Sequence, residues 1–324
     1  MSKRVFSWIL ATFLLTTVSL AQAQQMPKVP RLVMLVSGSP ETHKVRIDAF
    51  REGLHALGYV DGKNIVIEYR YAYGKTERFA EIAAEAVRSK PDVIFVGGTR
   101  FVRAAKQATS TIPIVATGSD LVGDGLVASL ARPGGNITGT TSISRDAAEK
   151  RLELIHEALP KAGRIAVIWY PQGDELDVKQ IEATAKELGV KIQSLPMRDS
   201  SEFERVFGAM KRESATALII VQNVLAAFHR KPLLDLAVKN RLPTICEFSF
   251  WTDDGCLMSY GADFLHLYRR SAALVDKVLK GTKPADIPVE QPMKFEFIGN
   301  LKTAKQIALT IPPNLLVRAD RVIR

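Results

Sequence analysis

Apolar residues recur along this chain in two alternating rhythms. Arg31 to Val36 is an apolar run rich in β-favouring residues, closed by Ser37-Gly38-Ser39-Pro40, and such a run before a turn signal predicts a strand. Ile47, Phe50, Leu54 and Leu57 then fall at offsets 0, 3, 7 and 10. That is one face of a 3.6-residue period, so a helix is predicted, ended by Gly58. The same alternation predicts strands at Asn64 to Arg70, Asp92 to Val96 and Ile112 to Ala116, with helices at Thr76 to Ser89 and Arg100 to Ala108.

The pattern restarts at Arg164. Ile165 to Trp169 is again a β run, closed by Tyr170-Pro171-Gln172-Gly173, and Val178, Ile181, Ala185 and Leu188 repeat the offsets 0, 3, 7 and 10 before Gly189. Strands at Val190 to Leu195, Ala217 to Val221 and Pro243 to Cys246 alternate with helices at Ser201 to Arg212 and Val224 to Lys239. Repetition of this element order predicts two similar α/β lobes, each a parallel sheet covered by helices on both faces. Right-handed crossovers put the turn loops of each lobe on one edge. The correspondence pairs Ser37 to Ser39 with Tyr170 to Gln172, Gly97 to Thr99 with Gln222-Asn223, and Thr117 to Asp120 with Glu247 to Phe250. If the two edges face each other, these loops line one cleft.

The remaining chain connects the lobes. Cys256 to Tyr260 and Lys294 to Ile298 read as strands, Ala262 to Leu279 and Leu301 to Leu309 as helices, and a tail starts at Pro312-Pro313. Crossings near Gly139, Tyr260 and Pro288 predict a hinge of several strands, which permits closure while limiting twist. Lobe 1 is then residues 24–140 plus about 261–288, and lobe 2 is 141–260 plus about 289–324.

One stretch, Ala116 to Ser142, reads as strand, then a loop of small and acidic residues, then one or two helical turns at Leu126 to Ala131 stopped by Arg132-Pro133-Gly134-Gly135. In open α/β sheets ligands bind outside the carboxyl ends of strands, so this loop is a candidate site; turn and cap chemistry alone would use the same residues.

Composition narrows the setting. Met1 to Arg4 is a short basic start, Val5 to Leu20 is mostly apolar, and Ala21-Gln22-Ala23 offers small residues at the positions a signal peptidase reads, which predicts a signal peptide over 1–23 and an exported, soluble product. No Cys follows the apolar run, which speaks against a lipid anchor there. The formal charge of +10 falls to 10 − 2 = +8 without Lys3 and Arg4, and the basic residues are scattered among acids; no nucleic-acid partner is expected. Cys246 and Cys256 are the two cysteines. In an oxidising compartment a bridge between neighbouring strands is allowed, and two separate buried thiols are the alternative.

Catalytic and metal chemistry finds little support. His43, His55, His156, His229 and His266 show no ligand spacing, and no Gly-x-Ser-x-Gly, Gly-x-Gly-x-x-Gly or Gly-x-x-x-x-Gly-Lys-Thr phosphate loop occurs. Neither metal nor cofactor is expected. Asp253-Asp254 lie before Gly255 in what reads as a turn, so an exported enzyme using them or Glu247 is a rival reading. Binding needs less. Asp120 and Glu247, at equivalent strand ends, suit an ammonium, whereas Ser37, Gly38, Gly98, Thr99 and Ser119 offer hydroxyls and backbone N–H groups to a carboxylate. Tyr170, Phe248, Phe250, Trp251 and Tyr260 gather near the second edge, either to wall an apolar side chain or as lobe core.

Several motifs in order resemble a known family: SDLVGDGLVASLARPGGNITG from Ser119, LMSYGAD at 257–263, LKGTKPADIPVEQP at 279–292, and FEFIGNLKTAKQIALTIPPNLLVRAD at 295–320. Together they resemble the ABC transporter substrate-binding proteins related to the tryptophan-binding type. The resemblance implies a type I periplasmic binding protein fold: two Rossmann-like lobes with parallel sheets joined by a multi-strand hinge. It also implies capture of a small solute, an amino acid or related small carboxylate, by a periplasmic monomer that hands it to a membrane permease and ATPase. By the same resemblance Asp120, and Tyr260-Gly261 with Asp263, fall where the family places cleft and hinge groups, and Gly97 to Thr99 offers backbone and hydroxyl contacts. Asn223 and Glu247 are placed by the duplication alone. Asp120→Ala is expected on this reading to weaken binding by roughly 1 to 3 kcal/mol. A sensory binding protein of the same fold is the nearest rival.

Overall fold

The computed structural model describes residues 29–324 apart from 172 and 173, and the backbone alone of 144–146. The predicted signal peptide, residues 1–23, lies outside the described residues.

β1 (Arg31–Val36) runs into α1 (Pro40–Ala56) through a capping box. The Ser39 hydroxyl accepts from the Thr42 N–H at 3.3 Å, the Thr42 hydroxyl accepts from the Ser39 N–H at 2.9 Å, and Pro40 presets the first turn. There follow β2 (Val66–Tyr71), α2 (Phe79–Arg88), β3 (Val93–Gly97), α3 (Thr99–Ala108), β4 (Ile114–Gly118) and β5 (Ile137–Thr141). These strands form a five-stranded sheet in the order β2-β1-β3-β4-β5, parallel throughout. Alternation along β1 feeds two cores: Leu32, Met34 and Val36 face one side, Val33 and Leu35 the other.

The second half repeats the scheme with α4 (Ser144–Ala158), β6 (Arg164–Trp169), α5 (Glu175–Leu188), β7 (Lys191–Pro196), α6 (Phe203–Arg212), β8 (Ala217–Ile220), α7 (Val224–Phe228), α8 (Arg230–Lys239), β9 (Thr244–Cys246) and β10 (Met258–Ala262). Then come α9 (Phe264–Leu279), β11 (Phe295–Asn300), α10 (Leu301–Gln306), α11 (Pro313–Arg318) and β12 (Arg321–Ile323). The second sheet has seven strands in the order β12-β11-β10-β9-β8-β6-β7. Its run β7-β6-β8-β9 has the same winding as β2-β1-β3-β4, so the duplication read from the apolar stripes is present in the strand order.

Four local expectations are corrected. β11 pairs antiparallel to β10, because the helix between them, α9, packs on α1 and on β3, β4 and β5 of the other sheet; no crossover covers the second sheet at that step. Leu126 to Ala131 forms turns with no regular helix, since Gly125, Gly134 and Gly135 all take left-handed backbone. The helix expected over Val224 to Lys239 breaks at His229 into α7 and α8; Pro232 has no N–H for the Phe228 carbonyl and its ring would strike it. The tail after Pro312 is α11 and an edge strand, β12, parallel to β11.

The chain passes between the sheets three times: from β5 to α4, from β10 to α9, and from the segment at Glu290 to β11. Thr140 and Glu290 form a parallel bridge there, and Arg270 forks the Glu290 carboxylate at 2.9 and 2.8 Å. A chain of rings also joins the halves. Phe50 stacks on Phe95 at 4.4 Å, Phe95 meets Tyr268 at 5.4 Å, Tyr268 meets Phe264 at 5.2 Å, and Phe264 stacks on Phe248 at 4.1 Å. Cys246 and Cys256 are bonded to each other, which settles the choice the sequence left open.

Candidate functional site

The carboxyl edges of the two sheets face each other across a cavity of about 180 Å³, well above the roughly 10–15 Å³ that one water needs. Five of the six loops paired by the duplication reach it: Ser37 after β1, Gly97 to Thr99 at the end of β3, Thr117 to Ser119 at the end of β4, Gln222-Asn223 after β8 and Glu247-Phe248 after β9. For the sixth, Gln172 lies outside the described residues, while Asp174 and Asp177 at the start of α5 line the cavity.

The expected residues therefore divide. Ser37, Gly98, Thr99, Ser119, Asn223 and Glu247 line the cavity. Gly38, Asp120, Tyr170, Tyr260 and Asp263 stand elsewhere. Gly38 makes room, since a Cβ there would sit 2.4 Å from the Thr42 hydroxyl oxygen and 2.5 Å from the His43 ring. An Asp120 carboxylate oxygen accepts from the Gly123 N–H at 2.8 Å and so holds the turn. Tyr260 stacks on Phe295 at 5.8 Å, and Asp263 caps α9 by accepting from the His266 N–H at 2.9 Å. Tyr170 lines an outer vestibule of about 360 Å³ that shares Arg100, Asp174 and Asn223 with the cavity. Of the aromatic wall expected from the second lobe, Phe248 alone lines the cavity, joined there by Phe264 and Tyr268 of α9; Phe250 and Trp251 are core.

The lobe 2 wall is acidic. Asp174, Asp177 and Glu247 are buried. The Asp174 carboxylate accepts from the Tyr170 N–H at 2.7 Å and from the Asn223 side-chain amide at 2.9 Å. Asn223 is fixed in turn as the cap of α7, its carbonyl oxygen accepting from the Ala226 N–H at 2.8 Å. Burial nevertheless outweighs these bonds and pushes the Asp174 pKa up to about 7. Behind the wall Arg151 of α4 is buried; burial lowers its pKa, Glu247 and Asp177 work against that, and it donates to the Tyr260 carbonyl at 3.2 Å. Ser142 donates to a Glu247 carboxylate oxygen at 3.4 Å.

The lobe 1 wall carries a cation that the sequence reading missed. Arg46 on α1 is 5% exposed and lines the cavity. Its Nη1 donates to His43 Nε2 at 3.3 Å, while Nε and Nη2 have no hydrogen-bond partner. Ser37 Oγ lies 3.1 Å from the same His43 nitrogen, and the Thr42 hydroxyl 3.1 Å from Nδ1. Accepting from Arg46 requires a neutral His43 with its proton on Nδ1, and burial first, then the charges of Arg46 and Arg230, hold its pKa well below the usual histidine range. Burial also lowers the Arg46 pKa; the Tyr268 hydroxyl favours its charge and Arg230 opposes it. The guanidinium lies 5.3 Å from the Phe250 ring centroid and 5.9 Å from that of Phe264. A signal for it did exist: positions 43, 46, 47, 50 and 54 are all buried on one helix face, and a charge on an apolar face is the anomaly to notice.

Of the three acids weighed for an exported enzyme, Glu247 lines the cavity and the other two do not. Asp254 pairs with Arg230 and Asp253 lies 3.6 Å from Arg321, both away from the cavity lining, and no group of three potential metal ligands is found among the described residues.

Two doubly wound lobes closed over a cavity, with polar walls drawn from both, define a two-lobed solute receptor. The chain belongs to the ABC transporter substrate binding protein family, which it matches over residues 32–323. It is 30% identical over 262 residues to a tyrosine-binding protein of Clostridioides difficile, with 80% of this chain and 75% of that one covered. Among solved structures it is similar to a conserved domain protein from Vibrio cholerae (26% identity, TM-score 0.83, 91% and 100% covered). It also resembles an ABC domain from Streptococcus pneumonia in complex with L-Trp (23% identity, TM-score 0.83, 91% and 99% covered). A ligand-free, open substrate-binding protein with adhesive properties from Clostridium difficile superposes less closely (25% identity, TM-score 0.65, 91% and 99% covered).

Proposed function

We propose that this protein is the exported solute-binding subunit of an ABC importer, holding an amino acid or related small carboxylate between its lobes and releasing it unchanged. The observation that carries this reading is the opposed charge of the two walls: a buried guanidinium on lobe 1 faces buried carboxylates on lobe 2. A zwitterion fits that polarity, and closure strengthens both ion pairs by excluding water. The names of the relatives, one a tyrosine-binding protein and one solved with L-Trp, support an amino acid. Lobe 1 is residues 24–140 with about 261–288, lobe 2 is 141–260 with about 289–324, and Ser37, Gly98, Thr99, Ser119, Asn223 and Glu247 contact the solute. The working form is a periplasmic monomer, freed of residues 1–23, that delivers its solute to a membrane permease and ATPase. No helix among the described residues is long and apolar enough to cross a membrane.

Native mass spectrometry of gently purified protein, followed by thermal-shift screening of amino acids and small carboxylates, tests the reading. A ligand that binds the folded form raises the melting temperature. No stabilisation by any member of the panel, or conversion of a bound one to product, would sink it.

A further inference from the structure

We infer that Arg46 is a specificity-determining residue whose unpartnered Nε and Nη2 take both oxygens of a carboxylate on the solute. This rests on the proposal that the cleft holds a small solute, and adds which group that solute must carry and where it lies.

The argument starts from the cost of the arrangement. A guanidinium cannot discard its charge in a protein, and a buried charge left without hydrogen bonds is strongly unfavourable. Arg46 is buried, its Nε and Nη2 meet no acceptor in good hydrogen-bond geometry, and the groups that act on its charge are a neutral phenol, Tyr268, whose weak hydrogen-bonding contact helps, and another cation, Arg230, that hinders. Nothing in the packing requires this, since an apolar side chain of similar length would fill the same space among Phe250, Phe264 and Tyr268. The free pair is also a particular pair. Nε and Nη2 share one edge of the planar guanidinium, the edge that grips a carboxylate through two parallel N–H···O bonds. The remaining nitrogen, Nη1, is anchored to His43, itself held by Ser37 and Thr42. The fork is thus fixed in rotation before any solute arrives. Across the cavity Asp177 and Glu247 disfavour a doubly charged anion such as phosphate and favour a monoanion whose other end is cationic.

Three proteins settle the matter: the wild type, Arg46→Met, which keeps bulk without charge, and Arg46→Lys, which keeps charge without the fork. Calorimetry is run with the common L-amino acids, with the decarboxylated amine of the best binder, with succinate and inorganic phosphate, and with uncharged myo-inositol. In the wild type the amine binds about 10- to 100-fold more weakly than its amino acid, the span expected for a charged hydrogen-bonded pair. Arg46→Met lowers affinity for the amino acid by a similar factor and leaves the amine nearly unchanged, and Arg46→Lys falls between. The ligand-free Arg46→Met protein melts at or above the wild-type temperature, because an uncompensated charge has gone from its interior; a purely structural arginine gives the opposite shift.

Equal affinity of wild type and Arg46→Met for the amino acid overturns the assignment, as does tightest binding of myo-inositol or of phosphate. All three leave the solute-receptor reading standing. If the wild type binds nothing in the panel, that reading falls and this inference with it.

Discussion

The guanidinium of Arg100, at the start of α3, lies 4.8 Å from the ring centroid of Tyr170, just after β6. One belongs to the first sheet's lobe and the other to the second's, so the pair spans the mouth of the cleft. Phe228 packs against Gly74 closely enough that a Cβ there would meet its ring at 2.9 Å, and Arg230 reaches the Thr42 carbonyl at 3.4 Å. All three contacts join the first sheet's half of the chain to the second's.

Tyr170→Ala removes the cation–π contact, worth about 0.5–1 kcal/mol at a partly exposed site. Ligand release should accelerate by roughly 2- to 5-fold with little change in melting temperature. Stopped-flow displacement measures this, and an unchanged release rate would place the gate elsewhere.

Asp174 makes stability depend on pH with a sign opposite to that of most carboxylates. The folded protein holds this proton up to about pH 7, whereas the unstructured chain loses it near 3.8. Between those values the folded state binds more protons, so stability present at low pH is lost as pH rises from about 4 towards 7. Asp174→Asn should abolish the decline, which is bounded by ~1.4 kcal/mol per pH unit. Melting temperatures of both proteins across this range provide the check; parallel profiles would refute the effect.

Asp120→Ala is expected to leave ligand affinity within about 2-fold while lowering stability by about 1 kcal/mol, the value of the lost bond to the Gly123 amide. This revises the sequence-based expectation of weakened binding. Calorimetry and urea denaturation on the same protein separate the two.

Gly261 on β10 lies beneath Glu247: a Cβ would fall 2.4 Å from the Glu247 carbonyl oxygen and 3.0 Å from its Cγ. Since one of these atoms is backbone, Gly261→Ala must move the strand end that carries the acid. Destabilisation of about 1–3 kcal/mol is expected, with a loss of affinity larger than that of any surface substitution. Denaturation and calorimetry would reveal an alanine that fits without cost.

The architecture was legible because apolar spacing dictates it. The run at Leu32 to Val36 and the stripe Ile47, Phe50, Leu54 reappear at Ile165 to Ile168 and Val178, Ile181, Ala185, and both sets are buried in the same roles; Leu57, the fourth member of the first stripe, proved to be exposed at the helix end. Pairing the turns then located most of the cavity. At Asp120 the sequence left two roles open, because a carboxylate after a strand suits a turn as well as a ligand, and only coordinates show that it meets the Gly123 N–H. Phe264 and Tyr268 escaped notice because α9 follows a strand of one sheet and packs on the other, a choice that periodicity does not encode. Arg46 escaped because its position reads as one more polar step between Val45 and Ile47, until the helix start at Ser39 fixes which way it points.

The bond between Cys246 and Cys256 bears on how the protein is best prepared. Glu247 follows one sulfur directly, and the other sits two residues before β10, so the covalent loop fixes where one wall of the cleft presents its acid. Expression in a reducing cytosol still yields both sheets, whose formation depends on buried apolar surface, but it leaves that loop unstapled. Yield and solubility would not register the difference; counting binding-competent molecules would.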